Sequence, residues 1–315
     1  VSLRRWVGLA AAARGRSHEA RGVGCEDVVL VRHGPTFVAA LADGAGSARH
    51  ARLGAETVVR ALADLLGREL DALLAGDAAS ARARILAALD GALAAAARRF
   101  EAQPRDLAST LLFVAARGDR VLGGQLGDGV LAVRRGGRFE VMFEPATGEF
   151  ASQTVFVPAR RGAGDLRLFV VQGAAVEGVA LMSDGAAASL AVKVGDAFRV
   201  APALERWWAG LSTHLPDAVV AALDDGLRTH LRARTGDDCA LVLARTIDAR
   251  DPSARGWIGR GARARRRLAR ALGHAHDHAH DSHGLRRVAR RASLSVRVAR
   301  RHARALAALG WFARA

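Results

Sequence analysis

The sequence predicts an α+β fold in which two largely antiparallel sheets carry helices on their outer sides. Three observations lead there. Short strand-like runs are numerous, and Gly118-Asp119 and Gly136-Gly137 sit at hairpin-turn positions between them. Two pairs of helical segments are inserted between groups of strands instead of following each strand, so the pattern is not βαβα. No internal repeat is present.

Each element has its own warrant. Residues 6–13, 28–31 and 37–42 are short apolar or alternating runs and read as strands. Between 53 and 74, apolar residues fall at 53, 58, 59, 62, 65, 66, 70 and 73, which is helical spacing. Residues 80–100 repeat that spacing with Ile85, Leu86, Leu89 and Leu93. Strands are expected over 109–115, 120–126, 130–133, 139–143, 154–157, 166–171 and 179–183. Helices are expected over 203–211 and 217–232, the second with Pro216 just before it, and a last strand over 239–244.

Half of the 315 residues are hydrophobic, enough for a large core, and a quarter are charged. No apolar run reaches the ~18–20 residues that span a bilayer. Arg4-Arg5 followed by residues 6–13 faintly imitates a signal peptide, but Arg14 and Arg16 follow at once, and the segment reads as the first strand. Two cysteines outside any CxxC make no disulfide framework, so a reducing, cytoplasmic compartment is expected.

The formal charge of +16 is unevenly placed. From Arg255 onward there are 16 arginines against Asp277 and Asp281, which leaves the first 254 residues nearly neutral. Two regions follow: a globular domain over 1–250 and an Arg/His-rich basic tail over 251–315. Any affinity for nucleic acid belongs to the tail, not to the whole chain.

The acids of the body cluster at strand ends beside glycine: Asp43-Gly44, Gly127-Asp128-Gly129, Asp184-Gly185 and Gly236-Asp237-Asp238, with Glu26-Asp27 just ahead of a strand. One such pair is ordinary turn chemistry. Recurrence in one body is the signal. Carboxylates on rigid strand ends, with glycine allowing close approach, are the oxygen donors of a hard cation, Mg2+ or Mn2+. Converging carboxylates repel unless a cation neutralises them. Two ions sharing a carboxylate would hold a water for in-line attack on phosphorus.

In this order, Glu26-Asp27, Leu41-Ala42-Asp43-Gly44-Ala45-Gly46-Ser47, Leu126-Gly127-Asp128-Gly129, Leu181-Met182-Ser183-Asp184-Gly185 and Thr235-Gly236-Asp237-Asp238 resemble the metal-dependent protein phosphatase 2C (PPM) family. Ser17-His18, Cys25-Glu26-Asp27 and the stretch 148–154 (GEFASQT) resemble its bacterial branch. The resemblance spans roughly residues 6–246. It implies a four-layer α/β/β/α sandwich of two antiparallel sheets flanked by helices, with the basic tail appended. It also implies a signalling enzyme that hydrolyses phosphoserine or phosphothreonine of protein substrates by a metal-bridging water, without a phosphoenzyme.

Carried over by motif, Asp43 would bridge two Mn2+ or Mg2+ ions, with Gly44 and Glu26 on one and Asp184 and Asp237 on the other. Asp128 would belong to a weaker third site. Asp27 and Asp238 are near-equivalents, since a one-residue slip exchanges them with their neighbours. Asp43, Asp184 and Asp237 are thus the expected catalytic carboxylates. Two departures stand out. Ala45 occupies the place where many eukaryotic members carry a histidine. The phosphate-binding arginine has no clean match, and Arg16, His18 and Arg21 are the candidates.

Other features have plainer readings. Cys25 and Cys239 are read as small buried residues, and Trp207-Trp208 as core on a helical pattern. His274, His276, His278, His280 and His283, with Asp277 and Asp281, form a polar tract able to catch zinc, nickel or copper. Beyond it, residues 285–306 read either as a basic amphipathic helix for an anionic membrane surface, nucleic acid or an acidic protein, or as a disordered arginine-rich segment. The alternative to an active phosphatase is a catalytically weak, phosphatase-like binding and regulatory module acting through that tail.

Overall fold

Alternating small and branched apolar residues along the strands build two sheets that each bury both faces. The computed structural model describes residues 4–143, 154–158, 162–172, 175–195, 197–213 and 216–248. The basic tail 251–315, with its histidine tract, and residues 148–153 lie outside the described residues.

The first sheet contains β1 (Arg4–Ala13), β6 (Val130–Arg135), β7 (Arg138–Val141), β9 (Gly178–Met182) and β12 (Cys239–Asp248). Their spatial order is β1-β12-β9-β6-β7, antiparallel throughout. The second contains β2 (Val28–Arg32), β3 (Phe37–Ala42), β4 (Leu111–Arg117), β5 (Arg120–Leu126) and β8 (Arg167–Gln172), in that order and again antiparallel.

Residue parity sorts the layers. Phe37, Ala39 and Leu41 of β3 meet Val179, Leu181, Ala240 and Val242 between the sheets. Val38, Ala40 and Ala42 face the other way and pack with α2 (Ala51–Ala75) and α3 (Ala78–Arg99). On the opposite side, Leu241 and Leu243 of β12 pack with α5 (Pro202–Thr213), α6 (Pro216–Gly226) and the π-helical turn Leu227–Leu231. Helix, sheet, sheet, helix is the four-layer order expected.

Three elements carried no periodic signal and were not foreseen. Helices α1 (Arg16–Ala20) and α4 (Asp184–Leu190) are five and seven residues long, too short for a repeating face. The hairpin β10 (Ala191–Val194) and β11 (Ala197–Val200) leaves Val192 and Val194 exposed. The strand expected over 154–157 reduces to a single bridge between Val157 and Ser109. Pro158 follows and has no N–H with which to extend a ladder.

Trp208 anchors α5 on the first sheet. Its indole N–H donates to the Ala244 carbonyl at 3.1 Å. The Arg134 and Arg245 guanidinium groups sit 4.2 and 4.5 Å from its ring centre. The indole fits because residue 178 is glycine: a Cβ there would lie 2.1 Å from Trp208 Nε1. Replacing Trp208 by alanine is therefore expected to cost about 3–5 kcal/mol of stability, read by urea denaturation.

Candidate active site

Four acids from both sheets arrive at one mouth because four strand ends do. Asp43 follows β3, Asp128 lies in the β5–β6 turn, Asp184 opens α4 directly after β9, and Asp237 precedes β12. All four line one open cleft of about 490 Å3.

Main-chain locks hold them there. The Asp43 N–H donates to Thr110 Oγ1 at 3.0 Å, and the Thr110 N–H donates to the Asp43 carbonyl at 2.8 Å, so the residue is gripped from both sides. Gly44 passes against α2, where a Cβ would lie 2.7 Å from the Ala51 carbonyl carbon. Gln125, fully buried at the end of β5, donates from Nε2 to the Gly129 carbonyl at 2.6 Å and pins the turn that carries Asp128. Thr154 Oγ1 donates to Asp128 Oδ2 at 2.5 Å. Gly185 lets the start of α4 meet the loop before β12, since a Cβ there would lie 2.1 Å from the Asp238 carbonyl oxygen.

The electrostatics is that of crowded like charge. Burial first, and then Asp27, Asp184, Asp237 and Asp128, hold the Asp43 carboxyl well above its ordinary range. Burial, then Asp237 and Asp128, push Asp184 up to about 6. Asp27, 3% exposed, is raised by burial first and by Asp238, Asp184 and Asp237. The Ser183 hydroxyl lies near enough to favour its ionised form, yet no hydrogen bond of normal geometry reaches either Asp27 oxygen. Glu26 is raised by burial, with His18 opposing.

Among the described residues, no three His, Cys, Asp or Glu side chains close into a ready coordination shell. The acids form a charged wall. Its chemistry nevertheless fits divalent metal: hard oxygen donors, an orphaned buried carboxylate at Asp27, and repulsion that a cation would cancel. Both cysteines stay out of it. Burial holds the Cys25 thiol far above its ordinary value and pushes Cys239 up to about 12, so neither offers a thiolate.

The structure separates residues that the sequence left paired. Asp237 lines the cleft. Asp238 is 2% exposed, and its Oδ1 and Oδ2 accept the N–H groups of Gly15 at 2.5 Å and Glu26 at 2.6 Å. Glu26 and Asp27 lie behind the cleft wall, against Asp238. Of the phosphate candidates, Arg21 and His18 border the cleft, whereas Arg16 is exposed on α1 away from it. Gln125, Thr110 and Gly15 were not foreseen as supports. Only Gln125, a polar residue inside the apolar run of β5, left a visible signal.

Two facing antiparallel sheets thus gather carboxylates at one mouth. Residues 14–232 match the protein phosphatase 2C family, and the chain belongs to that family. No curated protein matches the sequence significantly. The fold is similar to the catalytic domain of the serine/threonine protein phosphatase PstP, solved with two manganese ions (TM-score 0.50, 21% identity, covering 78% of this chain and 100% of that one). It is also similar to the serine/threonine phosphatase Stp1 from Staphylococcus aureus (TM-score 0.52, 14% identity, covering 76% and 94%).

The raised carboxyls have a consequence for metal-free protein. Asp184 holds its proton more tightly folded, at about 6, than at the ordinary 3.8. The native state therefore binds more protons than the unfolded chain between those values, and stability falls as pH rises through them. Protein stripped with EDTA should melt at a higher temperature at about pH 5 than at about pH 7. A melting temperature that climbs across that interval would contradict the assignment.

Proposed function

We propose that the chain hydrolyses phosphoserine and phosphothreonine in protein substrates at the cleft bordered by Asp43, Asp128, Asp184 and Asp237. Residues 1–250 form the phosphatase domain, and 251–315 a basic appendage. The observation that carries the reading is the convergence of four carboxylates, three half-buried and Asp237 exposed, with burial and then mutual repulsion raising Asp43 and Asp184.

Asp43, Asp184, Asp237, Glu26 and Asp27, with the Gly44 carbonyl, would hold two Mn2+ or Mg2+ ions, and Asp128 would serve a further one. When bound, the ions neutralise the carboxylates and make water a nucleophile at neutral pH. The chain's own part is positional. Thr110 fixes the Asp43 backbone, and Gln125 and Thr154 fix the Asp128 turn and carboxylate. Arg21, at the rim, offers its guanidinium to phosphate oxygens, with its Nε held 3.3 Å from the Ser17 carbonyl. Neutral thiols at Cys25 and Cys239 disfavour a cysteinyl phosphoenzyme, and the route taken in this reading is direct attack by water.

No helix among the described residues is long and apolar enough to cross a membrane. We read the enzyme as a cytoplasmic signalling phosphatase of the bacterial type. The test is hydrolysis of para-nitrophenyl phosphate and of a phosphothreonine peptide with Mn2+ supplied and withheld. Turnover should require Mn2+, and Asp43→Ala should lower it by about 100-fold or more. Metal-independent turnover, or turnover that survives Asp43→Ala, would refute the reading. Arg21→Ala should raise KM about 10-fold or more at saturating Mn2+.

A further inference from the structure

At the border of the cleft, with His18 lining it and Asp238 and Glu26 outside its lining, lies a polar cluster that the proposed chemistry leaves unexplained. Asp238 is locked at both oxygens by the Gly15 and Glu26 amides, so its carboxylate is fixed in space. His18, 6% exposed, sets Nδ1 2.9 Å from Asp238 Oδ2 and Nε2 3.6 Å from Glu26 Oε2. The imidazole thus spans two carboxylates. One is committed to backbone amides; the other belongs to a proposed metal ligand. The Nδ1 contact is off the line of a hydrogen bond, so it acts by proximity.

The surroundings leave His18 little room to move. Its carbonyl accepts the Val23 N–H at 2.9 Å, closing the chain between α1 and Glu26. The Ser17 N–H donates to the Gly236 carbonyl at 2.8 Å, tying α1 to the loop that carries Asp237. At Gly15, a Cβ would lie 2.3 Å from the Asp237 carbonyl carbon, so the two segments touch backbone to backbone. A backbone held this way fixes the point from which the imidazole reaches Asp238 and Glu26.

We infer that His18, braced by Asp238, is a positioning residue that sets the Glu26 carboxylate for metal. This rests on Glu26 being a metal ligand, as proposed above. It gives Asp238 and His18 structural tasks distinct from metal ligation and from phosphate contact. Residues that orient metal ligands typically change affinity by about 10–100-fold when removed.

The test is Mn2+ titration of the metal-stripped full chain by calorimetry, with KM for para-nitrophenyl phosphate measured at saturating Mn2+. His18→Ala should weaken one Mn2+ site by about 10-fold or more and leave KM unchanged. His18→Gln, whose amide has two N–H donors, should restore most of the affinity. Once Glu26→Gln is in place, His18→Ala should have no further effect on Mn2+ affinity. If His18→Ala does not fold, His18→Asn, too short to reach Glu26, takes its place and should weaken the same site. Unchanged Mn2+ affinity with a raised KM would make His18 a substrate contact and overturn the inference. Additive effects of the His18 and Glu26 substitutions would overturn it as well. Wild-type protein that binds no Mn2+ would instead refute the metal-site reading on which it rests.

Discussion

Repulsion among carboxylates in a partly buried cleft is the constraint around which this molecule is arranged. Two unit charges about 4 Å apart at the edge of a protein repel by about 4 kcal/mol. Here burial raises Asp27, Asp43 and Asp184, and the charges of these residues and of Asp237 add to it. A fold under no functional demand would scatter such groups over its surface. This one holds them together with backbone hydrogen bonds and with glycines at the closest crossings. The stability given up locally is offset by three extensive apolar layers, between the sheets and beneath each helical pair.

The sandwich makes that concentration achievable. Antiparallel strands from two facing sheets end at the same rim, so acids distant in sequence meet without long loops. Asp43 and Asp237 are nearly two hundred residues apart, yet each stands within two residues of a strand. The supports are of two kinds. Thr110, Gln125 and Thr154 hold individual acids from inside. Asp238, His18 and Gly15 instead tie α1, the segment before β2 and the loop before β12 into one block.

Much of this was legible in the sequence because it rests on short-range patterns. The helical spacing of Leu62, Leu66, Leu70 and Leu73 marks α2, and the unbroken apolar run Phe37 to Ala42 marks β3 as buried on both sides. Asp43, Asp128, Asp184 and Asp237 were legible because each abuts glycine near the end of an apolar run. What stayed hidden depends on contacts across the fold. Asp237 and Asp238 are chemically identical and adjacent, and only the positions of Gly15 and Glu26 reveal which one faces inward. The short helices α1 and α4 have no periodicity to read, and of the strand that composition favoured over 154–157 only the Val157 bridge forms. Arg16 and Arg21 differ by position on α1, which a chain rich in arginine cannot signal.

The most direct measurement of the central idea is thermal melting of EDTA-stripped protein as Mn2+ is added back, for wild type and Asp43→Asn. If crowded carboxylates await a cation, Mn2+ at about 100 times its Kd should stabilise the wild type by about 2.7 kcal/mol. Asp43→Asn, with less repulsion to relieve and a ligand removed, should melt higher than the wild type without metal and respond weakly to Mn2+. A wild-type melt indifferent to Mn2+, or an Asp43→Asn protein that melts lower than the wild type without metal, would contradict the account.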